Sequence, residues 1–256
     1  MLFSFSFLEL FDPLLEYGVY TQVALGVLVI LLTYLFFSHS GQTSTLSRSK
    51  MGNDVIFVGA CGSGKTCLVQ SLVNGKFPRT VTSMEQSSFG IPKSIAGLSN
   101  GKLIDLPGHP RLRGALGSCL PSAFAIVFVV DSRDVSSENF QNSTELLAHI
   151  LTQPVFVANK IPVLIACNKS DMHGVKSPEL IYKKLETGLD KIKETRSALM
   201  QTSMDQTGEN EILLGSEERF EFDIDVDANV TFCSCSAKEH DVKGILSFIE
   251  EAARTE

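Results

Sequence analysis

Hydrophobic and polar positions divide the chain into two regimes. From Gly18 to Phe37 the residues run GVYTQVALGVLVILLTYLFF without a charge, and about 20 such residues in a helix match a hydrocarbon core of roughly 30 Å. Beyond Lys50, short apolar runs alternate with amphipathic stretches, the pattern of an α/β domain with a mostly parallel sheet. Val55 to Val58 reads as a buried strand that turns into a helix from Lys65 to Asn74, closed by Gly75 and followed by Pro78. Ile91 to Leu98 and Lys102 to Ile104 flank Ser99-Asn100-Gly101, a hairpin signal that predicts one antiparallel edge strand. Phe124 to Val130 and Val163 to Cys167 are continuous apolar runs, as strands covered on both faces should be. Ser177-Pro178-Glu179 supplies an N-cap, a first-turn proline and a carboxylate for a helix running to about Leu199. Residues 201–219 are rich in Thr, Ser, Asp, Glu and Gly and read as an exposed insertion. A strand at Val230 to Cys233 and a closing amphipathic helix at Val242 to Ala253 complete a six-stranded sheet, with no internal repeat.

The apolar run predicts one membrane span at 18–37. Tyr17, Tyr20 and Tyr34 lie near its ends, where amphipathic rings favour the headgroup region. A cleaved signal peptide needs a basic segment first, yet Glu9, Asp12 and Glu16 precede the run and Ser38-His39-Ser40 is only weakly cleavage-like. A buried core helix is rarely this long without a charge. His39, Arg48 and Lys50 follow the run, so the positive-inside rule places the C-terminal bulk in the cytosol and the short segment 1–17 on the lumenal side. No glycine follows Met1, which excludes myristoylation as the anchor. A polar linker, 38–51, joins the span to a domain covering 52–256 and keeps that domain near the bilayer.

Composition narrows the function. Of 256 residues, 44% are hydrophobic and 20% charged, enough apolar material for one globular domain. Lys plus Arg is 22 against 29 for Asp plus Glu, and the net charge of −7 argues against general binding to a nucleic-acid backbone. The 6 cysteines match no closed zinc spacing and read as reduced cytosolic thiols, with Cys233 and Cys235 on one strand face as packing residues.

Gly59-Ala60-Cys61-Gly62-Ser63-Gly64-Lys65-Thr66 fits G-x-x-x-x-G-K-[ST] between a predicted strand and a predicted helix, the context a phosphate loop requires. Glycines let backbone wrap phosphate, and loop N–H groups with the helix N-terminus supply positive potential. Lys65 can bridge the β and γ phosphates and the Thr66 hydroxyl can ligate Mg²⁺, with Cys67 beside them in the first helical turn. Asn168-Lys169-Ser170-Asp171 follows an apolar strand. The Asp171 carboxylate can accept from both N1–H and the exocyclic amine of guanine, a donor pair that adenine lacks. Asn168 would brace the loop and the Lys169 stem would cover the base. Ser236-Ala237-Lys238, after the last strand, can offer backbone N–H groups to guanine O6. Cys61, inside the phosphate loop, is a candidate for alkylation that blocks the site.

The order GxxxxGKT, DxPGH, NKxD and SAK resembles the Ras-like small GTPases, closest to the branch containing ADP-ribosylation factors, over about residues 52–256. Together with the single span, the segments IDLPGH, AIVFVVDS, LIACNKSD and CSAK are similar to the beta-subunit family of the signal recognition particle receptor, a membrane GTPase of the endoplasmic reticulum. The resemblance implies a P-loop G domain and GTP/GDP with Mg²⁺ as ligands. It also implies docking of the receptor's alpha subunit as a heterodimer, which recruits ribosome–nascent chain complexes to the translocon. Asp105 would hold Mg²⁺ through water, and the Gly108 N–H would contact the γ-phosphate. Thr82, with Ser83 and Thr80 as alternatives, would be the switch residue for Mg²⁺. His109 stands where most Ras-like proteins use Gln to orient water, so it is the candidate catalytic residue. Arg111 and Arg113 follow it without an assignable arginine-finger role, and slow intrinsic hydrolysis is expected. Two other readings compete: a self-cycling ADP-ribosylation-factor-like trafficking GTPase, and a membrane ATPase or kinase, against which Asp171 speaks.

Overall fold

The computed structural model describes residues 52–75, 77–78, 80, 83–92, 101–109, 114–133, 135–202, 214–215 and 219–254. Its strands are β1 (Asp54–Val58), β2 (Ser87–Gly90), β3 (Lys102–Asp105), β4 (Ala123–Asp131), β5 (Val163–Asn168) and β6 (Val230–Ser234). Its helices are α1 (Lys65–Asn74), α2 (Gly114–Cys119), α3 (Glu138–Leu151), α4 (Pro154–Asn159), α5 (Pro178–Thr202), α6 (Phe222–Asp225) and α7 (Lys243–Arg254). The strands form one sheet in the order β2-β3-β1-β4-β5-β6. All neighbouring pairs are parallel except β2 with β3, which gives the mixed sheet with one antiparallel edge that the sequence predicts.

Side chains alternate across each central strand, and both faces are covered. Ile56 and Val58 of β1, with Ile126, Phe128 and Val130 of β4, join one core. Helices α3 and α5 cover that face through Leu147, Ile150, Ile181 and Leu185. Val55, Phe57, Ala125 and Val127 point the other way and meet Leu68 and Val69 of α1 and Ile245, Phe248 and Ile249 of α7. Two-sided burial explains why β4 and β5 read as unbroken apolar runs. Helix ends follow local chemistry: Ser137 accepts from the Phe140 N–H at the start of α3, and Gly75, at φ 62, donates to the Ser71 carbonyl at the end of α1. The strand order reverses around β1, which pairs with β3 on one side and β4 on the other, so a crevice opens at the carboxyl ends of these strands, where open α/β sheets bind ligands.

Two expectations change. The antiparallel edge strand is Ser87–Gly90, paired from Ser87↔Asp105 to Gly90↔Lys102; of the expected run Ile91 to Leu98, Ile91 and Pro92 follow the strand without joining it, and the rest lies outside the described residues. Its residues alternate between half-buried and exposed, and only Phe89 among them packs on the core, so an apolar-run criterion passes over it. Within 201–219, Gln201 and Thr202 extend α5 and Leu214 is buried in the core; the stretch is therefore not exposed throughout. A docking segment follows it: Phe220 and Phe222 are buried, their N–H groups donating to Asp190 at 3.0 Å and Glu186 at 3.2 Å on α5. The expected span at 18–37 and linker 38–51 lie outside the described residues. Among the described residues no helix is long and apolar enough to cross a membrane, and no group of His, Cys, Asp or Glu could hold a metal ion by itself. Cys235 is buried, and Cys233 packs where α7 approaches at Gly244, consistent with packing roles.

Candidate functional site

The turn from β1 into α1 needs glycine. Gly59, Gly62 and Gly64 have φ of 151, 74 and 93, values that L side chains rarely adopt. A side chain at Gly59 would strike the Val129 carbonyl, and one at Gly64 would strike the Asn168 amide. Lys65, only 6% exposed, donates from Nζ to the Ala60 carbonyl at 2.9 Å. Burial lowers its pKa against the opposing attraction of Asp105 and Cys61. The Thr66 hydroxyl donates to Asp105 Oδ2 at 2.6 Å and lies 3.0 Å from the Ser83 hydroxyl. Asp105 is wholly buried at the end of β3, and its Oδ1 has no partner. Burial raises its pKa, with the Thr66 hydrogen bond and the Lys65 charge pulling the other way. Gly108 is pressed on the loop: a Cβ there would lie 2.7 Å from Ala60, Cys61 and Lys65 atoms. Between these groups lies a groove of about 290 Å³, lined in part by Cys61, Lys65, Thr66, Cys67, Thr80 and Ser83.

Parallel pairing of β5 and β6 brings two further loops beside this groove. The Cys235 N–H donates to Cys167 and the Ser170 N–H to Cys235, which sets the 168–171 and 236–238 segments together. Asn168, buried, donates from Nδ2 to the Ser63 carbonyl at 2.7 Å and accepts the Ala237 N–H at 3.3 Å. Asp171 accepts the Ser236 hydroxyl at 2.7 Å, while the exposed Lys238 ammonium stands 3.8 Å from its other oxygen. A second cavity of about 280 Å³ is lined in part by Phe77, Lys169, Asp171, Met172, Ala237 and Lys238. Gly64, Cys67 and Lys169 line both cavities, so the two adjoin at these residues. One end is rich in donors, hydroxyls and a buried carboxylate. The other sets a carboxylate among apolar walls, suited to a flat ring with paired donors.

Lys169 is held at φ 70, with Nζ 2.6 Å from the Gly62 carbonyl and 2.6 Å from Asp131 Oδ2. Arg133 grips the same carboxylate through Nε at 3.0 Å and Nη2 at 2.8 Å. Burial pushes the Asp131 pKa up, but hydrogen bonds from Arg133 and Lys169 outweigh it and bring it to about 2.

The structure thus gathers Gly59 to Cys67, Asp105, Gly108, Asn168, Lys169, Asp171 and Ser236 to Lys238 around one cleft. His109 is exposed beside Gly108. Thr82, Arg111 and Arg113 lie outside the described residues; of the alternatives to Thr82, Ser83 reaches Thr66 and Thr80 lies 3.0 Å from Cys67 Sγ. Sequence reasoning missed Phe77, Arg133 and Met172, single residues in loops without a spacing signal. The exposed Phe77 just past the end of α1 and Met172 directly after Asp171 were the only hints.

Comparison with known proteins agrees with this geometry. The family model for the signal recognition particle receptor beta subunit matches residues 50–230. The chain is 37% identical over 224 residues to the mouse signal recognition particle receptor subunit beta, covering 85% of this chain and 78% of that one. A structure described as the mammalian SRP receptor superposes with a TM-score of 0.67 at 34% identity, over 78% of this chain and 99% of the other. The SRb-GTP/SRX complex from Chaetomium thermophilum shares the fold, with a TM-score of 0.57 at 21% identity over 77% and 97%. The cleft thus sits on a fold and a sequence that agree with one another, and the chain belongs to the signal recognition particle receptor beta-subunit family.

Proposed function

We propose that this chain binds GTP and GDP with Mg²⁺ and, in its GTP form, docks the receptor's alpha subunit on the cytosolic face of the endoplasmic reticulum, where the span at 18–37 anchors it. Ribosome–nascent chain complexes and the translocon engage it indirectly, through that partner. The observation that carries the nucleotide reading is Asp171, fixed by Ser236 at 2.7 Å in a cavity that Gly64 of the phosphate loop also lines. Lys65 and the loop amides neutralise the phosphates, the Lys169 stem and Phe77 flank the base, and the Ala237 region faces its O6. The buried Asp105 Oδ1 without a partner, beside the Thr66 and Ser83 hydroxyls, is a hard-oxygen set that suits Mg²⁺. When bound, Mg²⁺ would offset the charge of the β and γ phosphates. His109 would orient water, and with no arginine assigned in cis, hydrolysis by the chain alone is slow. The Chaetomium neighbour is described as holding GTP and SRX, which supports a GTP-dependent partner for this chain.

The test is Asp171→Asn. Nucleotide preference is expected to move from guanine to xanthine, because the amide presents a donor where xanthine carries a carbonyl. Unchanged GTP affinity would refute the base assignment. Single-turnover hydrolysis separates the scaffold from a self-cycling switch: stable GTP retention supports the scaffold, and fast turnover without a partner supports the switch.

A further inference from the structure

Buried hydroxyls in helices usually return to their own backbone. In α3, Ser143 and Thr144 donate to the Asn139 and Phe140 carbonyls at 2.9 and 3.0 Å. Ser71 of α1 is buried in the same way, 4% exposed, yet its hydroxyl lies 2.7 Å from Nδ1 of His240. His240 belongs to the turn that follows Ser236. That turn is closed by reciprocal backbone bonds between Ser236 and Asp241, both 3.0 Å, and by the Glu239 N–H on the Ser236 hydroxyl at 3.2 Å.

The backbone of His240 is itself unusual. Among the described residues, only Lys160, Lys169 and His240 combine a side chain with positive φ, a conformation that persists only where surrounding contacts impose it. Lys160 ends α4, and Lys169 faces the base end of the cleft. At φ 56, His240 is held so that its ring reaches α1.

We infer that His240 and Ser71 are positioning residues that lock the base-reading turn onto the phosphate-loop helix and so slow nucleotide release. This rests on the nucleotide reading above. Asn168 ties the 168–171 loop to Ser63, just before α1 begins, and to Ala237. Lys169 Nζ, 2.6 Å from the Gly62 carbonyl, holds the same end of the helix. The Ser71–His240 bond adds a second tether about two turns further along, and two points fix the orientation. The two halves of the cleft then move as one body, and a bound nucleotide cannot leave by loosening one grip at a time.

The experiment uses the full chain in detergent and follows displacement of a fluorescent GDP analogue by excess unlabelled GDP. Ser71→Ala removes the hydroxyl. His240→Gly keeps the backbone conformation and drops the ring, whereas His240→Asn tolerates positive φ and retains a polar atom near the Nδ1 position. Each of the first two variants is expected to release the analogue about threefold to tenfold faster, the double variant no faster than either, and His240→Asn close to wild type. Additive effects in the double variant, or His240→Asn releasing as fast as His240→Gly, would overturn the brace. Binding by wild type with unchanged release in both single variants would overturn the brace alone. Absence of analogue binding by wild type would overturn the nucleotide reading and the brace with it.

Discussion

The Thr66 hydroxyl donates to Oδ2 of Asp105 at 2.6 Å, while Oδ1 of the same carboxylate is buried without a partner. The two residues come from α1 and β3, and the register that pairs Phe57 with Asp105 delivers the carboxylate to the loop that leaves β1. A buried carboxylate oxygen without a partner is costly, and native structures keep few of them without a reason. A hard cation would supply that reason.

Asp105→Asn tests it. Wild-type protein is expected to release GDP faster when Mg²⁺ is chelated. The variant is expected to release about tenfold faster from the outset and to ignore the chelator, which stopped-flow measurements can follow.

Lys65→Met separates function from stability. Removing an ammonium that burial already disfavours is expected to leave the nucleotide-free fold as stable or more so in thermal unfolding. GTP affinity is expected to fall about tenfold to a hundredfold, because charge-assisted bonds to phosphate are lost.

Phe77 is 48% exposed and lines the base end of the cleft. Phe77→Ala is expected to weaken GTP and GDP about tenfold alike, from lost contact with the ring face. Melting of the nucleotide-free protein should not change. Isothermal calorimetry on both nucleotides reads the effect.

Asp131 supplies a pH dependence. Its carboxyl titrates at about 2 in the fold against an ordinary 3.8, so its depressed pKa contributes stability above pH 3.8 that is lost as pH falls towards 2. Asp131→Asn is expected to cost about 1 to 2 kcal/mol at pH 7. That difference from wild type should shrink steadily between about pH 4 and pH 2 in denaturant titrations.

Much of the architecture was legible because periodicity and burial agree. The bounds of α1 follow from Lys65 and Gly75, and β4 and β5 from apolar runs that two covered faces demand. The existence of an antiparallel edge strand was legible but its bounds were not: Ser87–Gly90 is half-exposed and mostly polar, so no apolar run marks it. The site divides in the same way. Fixed-spacing segments announced the loop, Asn168 to Asp171 and Ser236 to Lys238. Phe77, Arg133 and the Ser71–His240 pair arise from chain segments far apart in sequence, and no local pattern marks such meetings. Leu214 and Phe220 were hidden by the polar composition around them, since one buried side chain barely changes the average of a long stretch.

The most direct measurement is calorimetric titration of the folded chain with GTP, GDP and ATP in the presence of Mg²⁺. Saturable heat is expected for both guanine nucleotides and none for ATP at the same concentrations. Equal binding of ATP, or no heat from either guanine nucleotide, would contradict it.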